Sequence, residues 1–73
     1  MTDLYNCRIG ESYLVNKLIL PRRERTRLCS LGLIKGAKVR VRLRTRDGVI
    51  IEAYGTRVAM SKRVCRRVVL SKA

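Results

Sequence analysis

The sequence has 73 residues, 47% of them hydrophobic, and its 18 Lys and Arg against 5 Asp and Glu leave a net charge of +13. A chain this short buries only about 60% of its unfolded surface, which excludes a large core or several domains and predicts that 1–73 is one small domain. Histidine is absent, so neither a Ser-His pair nor a His metal site can form. With neither Phe nor Trp, the core must be built from Val, Leu, Ile and Ala. Three cysteines, odd in number and far apart, do not make a disulfide framework and point to a reducing compartment. No apolar run approaches the ~20 residues of a membrane span, and no long apolar leader opens the chain, which predicts a soluble, cytoplasmic protein.

In chain order, Leu4 and Cys7 are spaced for a single helical turn ahead of Gly10. The run Ser12–Leu20 predicts a first strand, and its mixed pattern implies either burial of more than one face or a bend near Asn16-Lys17. Pro21 closes that strand and is suited to open a helix, which the sequence predicts from Arg22 to Leu31. Leu28 and Leu31, i and i+3, would face the sheet, and Gly32 is placed to cap the helix. Arg22, Arg23 and Arg25 sit in the first turn, where the helix dipole favours anions. Helix stability does not ask for them there, and the pattern fits a binding surface and a solvated face equally. Leu33 and Ile34, bracketed by Gly32 and Gly36, would tuck against the core.

The segment 37–55 is the centre of the chain. Val39, Val41, Leu43 and Thr45 alternate with Arg40, Arg42, Arg44 and Arg46, which reads as a strand with one apolar and one cationic face. A turn at Asp47-Gly48 leads into a partner strand from Val49 to Tyr54. A two-residue Asp-Gly turn would put Glu52 opposite Leu43 on the apolar face. A three-residue loop, Arg46-Asp47-Gly48, sets Leu43 opposite Ile51 and Arg42 opposite Glu52, with Gly48 left-handed, and is the predicted register. A strand at Arg57–Ser61, a turn or helical piece to Cys65, a strand at Arg66–Leu70 and a frayed end at Ser71–Ala73 complete the order. The fold class is mostly β: a sheet of about five short strands with one short α-helix between strands 1 and 2, curled into a small barrel to bury its apolar face.

Little here supports catalysis. The five acids are scattered, no glycine-rich phosphate loop with its Lys-Ser/Thr occurs, and each cysteine falls where a small buried apolar residue would fit. The sequence therefore predicts no enzyme, no cofactor and no resident metal. Two binding classes remain. A nucleic-acid-binding barrel could run phosphates along Arg40–Arg46, although only Tyr5, Tyr13 and Tyr54 are available to stack on bases. The other class is a protein-interaction barrel beside a membrane or an acidic partner.

The ordered blocks Gly10-Glu11, then Arg27-Leu28-Cys29-Ser30-Leu31-Gly32-Leu33-Ile34-Lys35-Gly36, then Gly55-Thr56-Arg57-Val58-Ala59-Met60-Ser61 resemble the FeoA family, small SH3-like barrels of bacterial ferrous iron transport. Leu28, Leu31, Gly32, Leu33, Gly36, Gly55 and Ala59 carry that resemblance as structural positions. The sequence departs from the family in its high arginine content and in Cys65, which stands where the family often has Ala. The resemblance implies a cytoplasmic accessory at the inner face of the plasma membrane, docking on a ferrous iron permease that bears a GTP-binding domain. Arg22, Arg23, Arg25, Arg40, Arg42 and Arg44 are the candidate docking residues, an anionic membrane surface is a second candidate partner, and exposed edge strands would permit self-association.

Overall fold

In the computed structural model, which describes residues 2–73, the chain runs β1 (Thr2–Asp3), a 3-10 turn (Leu4–Asn6), β2 (Ser12–Leu18), α1 (Arg22–Ser30), β3 (Lys38–Thr45), β4 (Gly48–Ala53), β5 (Thr56–Ser61), α2 (Lys62–Cys65) and β6 (Val68–Lys72). The strands form one antiparallel sheet in the order β1-β6-β2-β3-β4-β5. The predicted class holds, with six strands in place of about five. The extra strand is β1, whose two residues pair with Leu70 and Val69. Two residues are too few for any periodic signal, and counting them moves the predicted helix from after the first strand to after the second. Ser71 and Lys72, predicted to fray, pair instead with Leu14 and Tyr13.

Of the two readings of its mixed pattern, β2 takes the bend. Its register against β6 shifts between Val15 and Lys17, leaving Asn16 as a bulge, and such an inserted residue sharpens local twist. The helix then ends in a double hydrogen bond: Gly32 N–H donates to the Cys29 carbonyl and Leu33 N–H to the Leu28 carbonyl, each 3.0 Å. This is a Schellman cap, and Leu28 and Leu33, both buried, make the apolar contact that accompanies it. Gly32 takes φ +91, a left-handed value that a Cβ would strain. Leu31 and Ile34, expected against the core, are 45% and 50% exposed. The cap turns the chain so that only Leu28 and Leu33 point inward.

The β3–β4 register corrects the three-residue loop. Thr45 pairs with Gly48, Arg44 with Val49 and Leu43 with Ile50, while Val41 pairs with Ile51 and Arg40 with Glu52. The turn is the two residues Arg46-Asp47, and Arg42 is an inserted bulge residue. Two contacts hold the tight turn: Asp47 N–H donates to Thr45 Oγ1 at 3.1 Å, and Lys62 N–H to the Asp47 carbonyl at 2.9 Å. Gly48 is not left-handed. A Cβ on it would lie 2.1 Å from the Met60 carbonyl oxygen, so glycine is required by the close approach of β5. Because side chains alternate with a period of two, the bulge exchanges faces. Val39, Val41, Val49, Ile51 and Ala53 are buried, whereas Leu43 is 49% exposed on the outer face.

Packed against the inner face are Leu4, Cys7, Leu28, Leu33, Met60, Cys65, Val68 and Leu70. Curling of the sheet brings the 3-10 turn onto the ends of β3 and β4: Tyr5 Oη donates to the Thr45 carbonyl at 2.9 Å. Lys62 Nζ sits 4.9 Å from the Tyr5 ring centroid, a cation–π contact that helps close the same end.

Candidate docking surfaces

The arginines expected to form one ladder are divided by the bulge. Arg40 Nε donates to Ser12 Oγ at 3.4 Å, and Arg42 lies 3.8 Å from the Glu52 carboxylate. Arg44, on the far side of the bulge, shares a face with buried Val49. Its guanidinium donates to the carbonyls of Cys7 at 2.8 Å and Tyr5 at 3.2 Å. It therefore ties the N-terminal turn to the core hairpin, and the charged donor makes these strong hydrogen bonds. Arg46 is exposed in the turn.

At the helix, Arg22 and Arg23 are exposed, and Arg25 Nη1 donates to the Leu20 carbonyl at 3.3 Å. Glu24 pairs with Arg63, which joins α1 to α2. The Arg63 hydrogen bond holds the Glu24 carboxyl below the usual carboxylate range. Of the family-motif positions, Leu28 and Leu33 are core, Gly32 and Gly36 are left-handed, and Gly55 is the second residue of the β4–β5 turn. That turn has Tyr54 at φ 53 and Gly55 at φ 75, the both-positive pattern of a type I′ hairpin. Tyr54 is 70% exposed, and its ring lies so close over Gly32 that a Cβ there would meet Cε2 at 2.9 Å. Ala59, read as structural, is exposed on the outer face opposite Ile50.

Two surfaces follow from this placement. The first is a cleft of about 210 Å³ between α1 and β5, lined by Leu28, Leu31, Val58, Met60 and Val64, with Glu24, Arg27 and Arg63 among its polar walls. Among the described residues β5 ends the sheet and pairs only with β4, so this cleft adjoins an open strand edge, a template for another chain. The second is the outer face of β3, β4 and β5. Leu43, Ile50 and Ala59 form a row straight across it, beside a polar row of Ser12, Arg40, Glu52 and Arg57. Strict alternation hid both Leu43 and the apolar row. Only the register against β4 reveals them.

Cys7 and Cys65 are buried, and Cys29 is exposed on α1. Burial pushes the Cys7 thiol up to about 11, with the Asp3 charge adding to it, and burial raises Cys65 to about 11 as well. Among the described residues, no group of three His, Cys, Asp or Glu is gathered to hold a metal ion. No helix among them is long and apolar enough to cross a membrane.

Comparison with known proteins gives a consistent picture. The family profile described as FeoA domain matches residues 2–72. The crystal structure of an iron uptake regulatory protein, FeoA, is 29% identical with a TM-score of 0.89, covering 99% of this chain and 97% of that one. The solution NMR structure of the FeoA protein from Chlorobium tepidum has a TM-score of 0.90 at 22% identity, covering 97% and 70%. The manganese-activated repressor ScaR in its apo form shares the fold at 15% identity, with a TM-score of 0.87 over 99% of this chain and 35% of that one. A comparison with curated protein sequences gave no match.

Proposed function

The chain belongs to the FeoA family of iron-uptake proteins, and from that premise we propose that it is a cytoplasmic, non-enzymatic accessory docking on the ferrous iron permease. The observation that carries this reading is the cleft between α1 and β5. An open strand edge offers backbone hydrogen bonds to an extended segment, and half-exposed Leu31 beside Val58 offers it apolar contact. Arg27 on the wall, where Arg63 is already paired with Glu24, favours an acidic segment, and exposed Arg22 and Arg23 on the same helix speed its encounter. Ferrous ion is the cargo of the permease, and the accessory acts through protein contact.

Ferrous iron uptake in permease-bearing cells lacking their own accessory tests the reading. The wild-type chain should restore uptake. Leu31→Glu, at a half-exposed position, should keep the folded circular dichroism spectrum and lose most of the restored uptake. Full restoration by a folded Leu31→Glu chain would remove the cleft from the mechanism.

A further inference from the structure

We propose that the outer face of β3–β4–β5 seats the protein on an anionic phospholipid bilayer. This goes beyond permease docking and does not depend on it, since it uses a different surface and needs no protein partner.

The bulge at Arg42 turns Leu43 outward, into line with Ile50 and Ala59. Leu43 is 49% exposed, Ile50 half-buried and Ala59 exposed. The core makes no use of this row, and an open hollow of about 330 Å³ lies over it. Along one flank, Arg40, Arg42 and Arg57 surround the single carboxylate of Glu52 and leave a net positive charge. At the hairpin tip, exposed Arg46 sits beside Asp47. An apolar strip bordered by long cationic side chains is the chemistry of an interfacial surface. The apolar groups enter the acyl boundary while arginine stems lie along them and carry their heads to the phosphates.

The other occupants fit less well. A second copy would bring another net charge of +13 against the same cationic flank, and like charges across an interface are strongly unfavourable. Nucleic acid would satisfy the arginines but leave Leu43 and Ile50 facing polar backbone, and the row offers no aromatic ring for a base to stack on. A bilayer takes both the charge and the apolar strip.

Flotation of the purified chain with vesicles tests this directly. It should bind mixed phosphatidylglycerol–phosphatidylcholine vesicles, fail to bind pure phosphatidylcholine, and dissociate as salt rises. Leu43→Ser keeps the charge unchanged and should weaken partitioning about tenfold. Arg42→Gln and Arg57→Gln should each weaken it about fivefold, and the pair should lose more than Arg22→Gln with Arg23→Gln. No binding to the anionic vesicles overturns the proposal. So does binding that Leu43→Ser leaves intact, or equal losses for the two arginine pairs. Displacement from vesicles by duplex DNA, with DNA binding insensitive to Leu43→Ser, would assign the face to nucleic acid and also overturn it.

Discussion

Gly48 lets β5 close against the β3–β4 hairpin, and Arg44 ties the N-terminal turn to that hairpin. A methyl group at position 48 would meet the Met60 backbone, which cannot yield without parting β4 from β5. Gly48→Ala should therefore cost about 3 kcal/mol in urea unfolding. Arg44→Ala would strip charged donors from two carbonyls, a loss of about 2 kcal/mol. Arg46→Ala, at an exposed turn position, should stay within about 0.5 kcal/mol. Equal effects of the two arginine substitutions would contradict the structural role of Arg44. The thiols give a pH signature. In the folded state Cys7 and Cys65 keep their protons to about 11, against an ordinary value of 9.0. Above pH 9 the unfolded chain releases protons that the folded chain retains. Stability from these groups is thus complete below pH 9 and is lost as pH rises toward 11. A urea midpoint that falls across that window, and falls less in Cys7→Ala, checks it. At neutral pH a thiol reagent should label Cys29 rapidly and reach Cys7 and Cys65 only on unfolding.

At the scale of elements, most of the fold was legible in the sequence. The Pro21 start and Gly32 end of α1, the bend at Asn16 and the two hairpins all follow from local chemistry: fixed φ, a left-handed cap, and period-two alternation. The β3–β4 register was not legible. Alternation continues unbroken through Arg42, and nothing local marks that residue as inserted. Gly48, following Asp47, reads as a left-handed turn residue, and nothing local marks it as a site of close approach. The deciding contacts come from Met60 and Lys62, distant in sequence, and with them the fates of Leu43 and Arg44 were out of sight. Gly32 tests the part that was legible. Gly32→Ala should cost about 1–2 kcal/mol through its left-handed φ. The cost should persist in a Tyr54→Ala background, because the exposed ring can swing aside and the backbone cannot. Abolition of the cost by Tyr54→Ala would make ring packing, not the helix cap, the reason for glycine.

For the whole molecule, the curled sheet separates its duties. The inner face buries the small aliphatic residues and two thiols, the edge at β5 opens beside α1, and the outer face carries the apolar row with its arginines. The large positive charge therefore has several uses. Arg44 closes the barrel end, Arg63 links the two helices through Glu24, and the remainder colours the surfaces. The candidate site was only partly visible beforehand for this reason, since composition reports how many cations there are and not which ones folding consumes. Docking at the β5 edge is the central claim, and hydrogen exchange of the chain with and without permease-containing membranes tests it most directly. Amides of Thr56–Ser61 that lack a β4 partner should become protected when the permease is present, together with the end of α1 around Leu31. Membranes without the permease engage only the outer face of the sheet and should leave the end of α1 around Leu31 unchanged. Capture by the permease with no new protection in β5 would contradict the account.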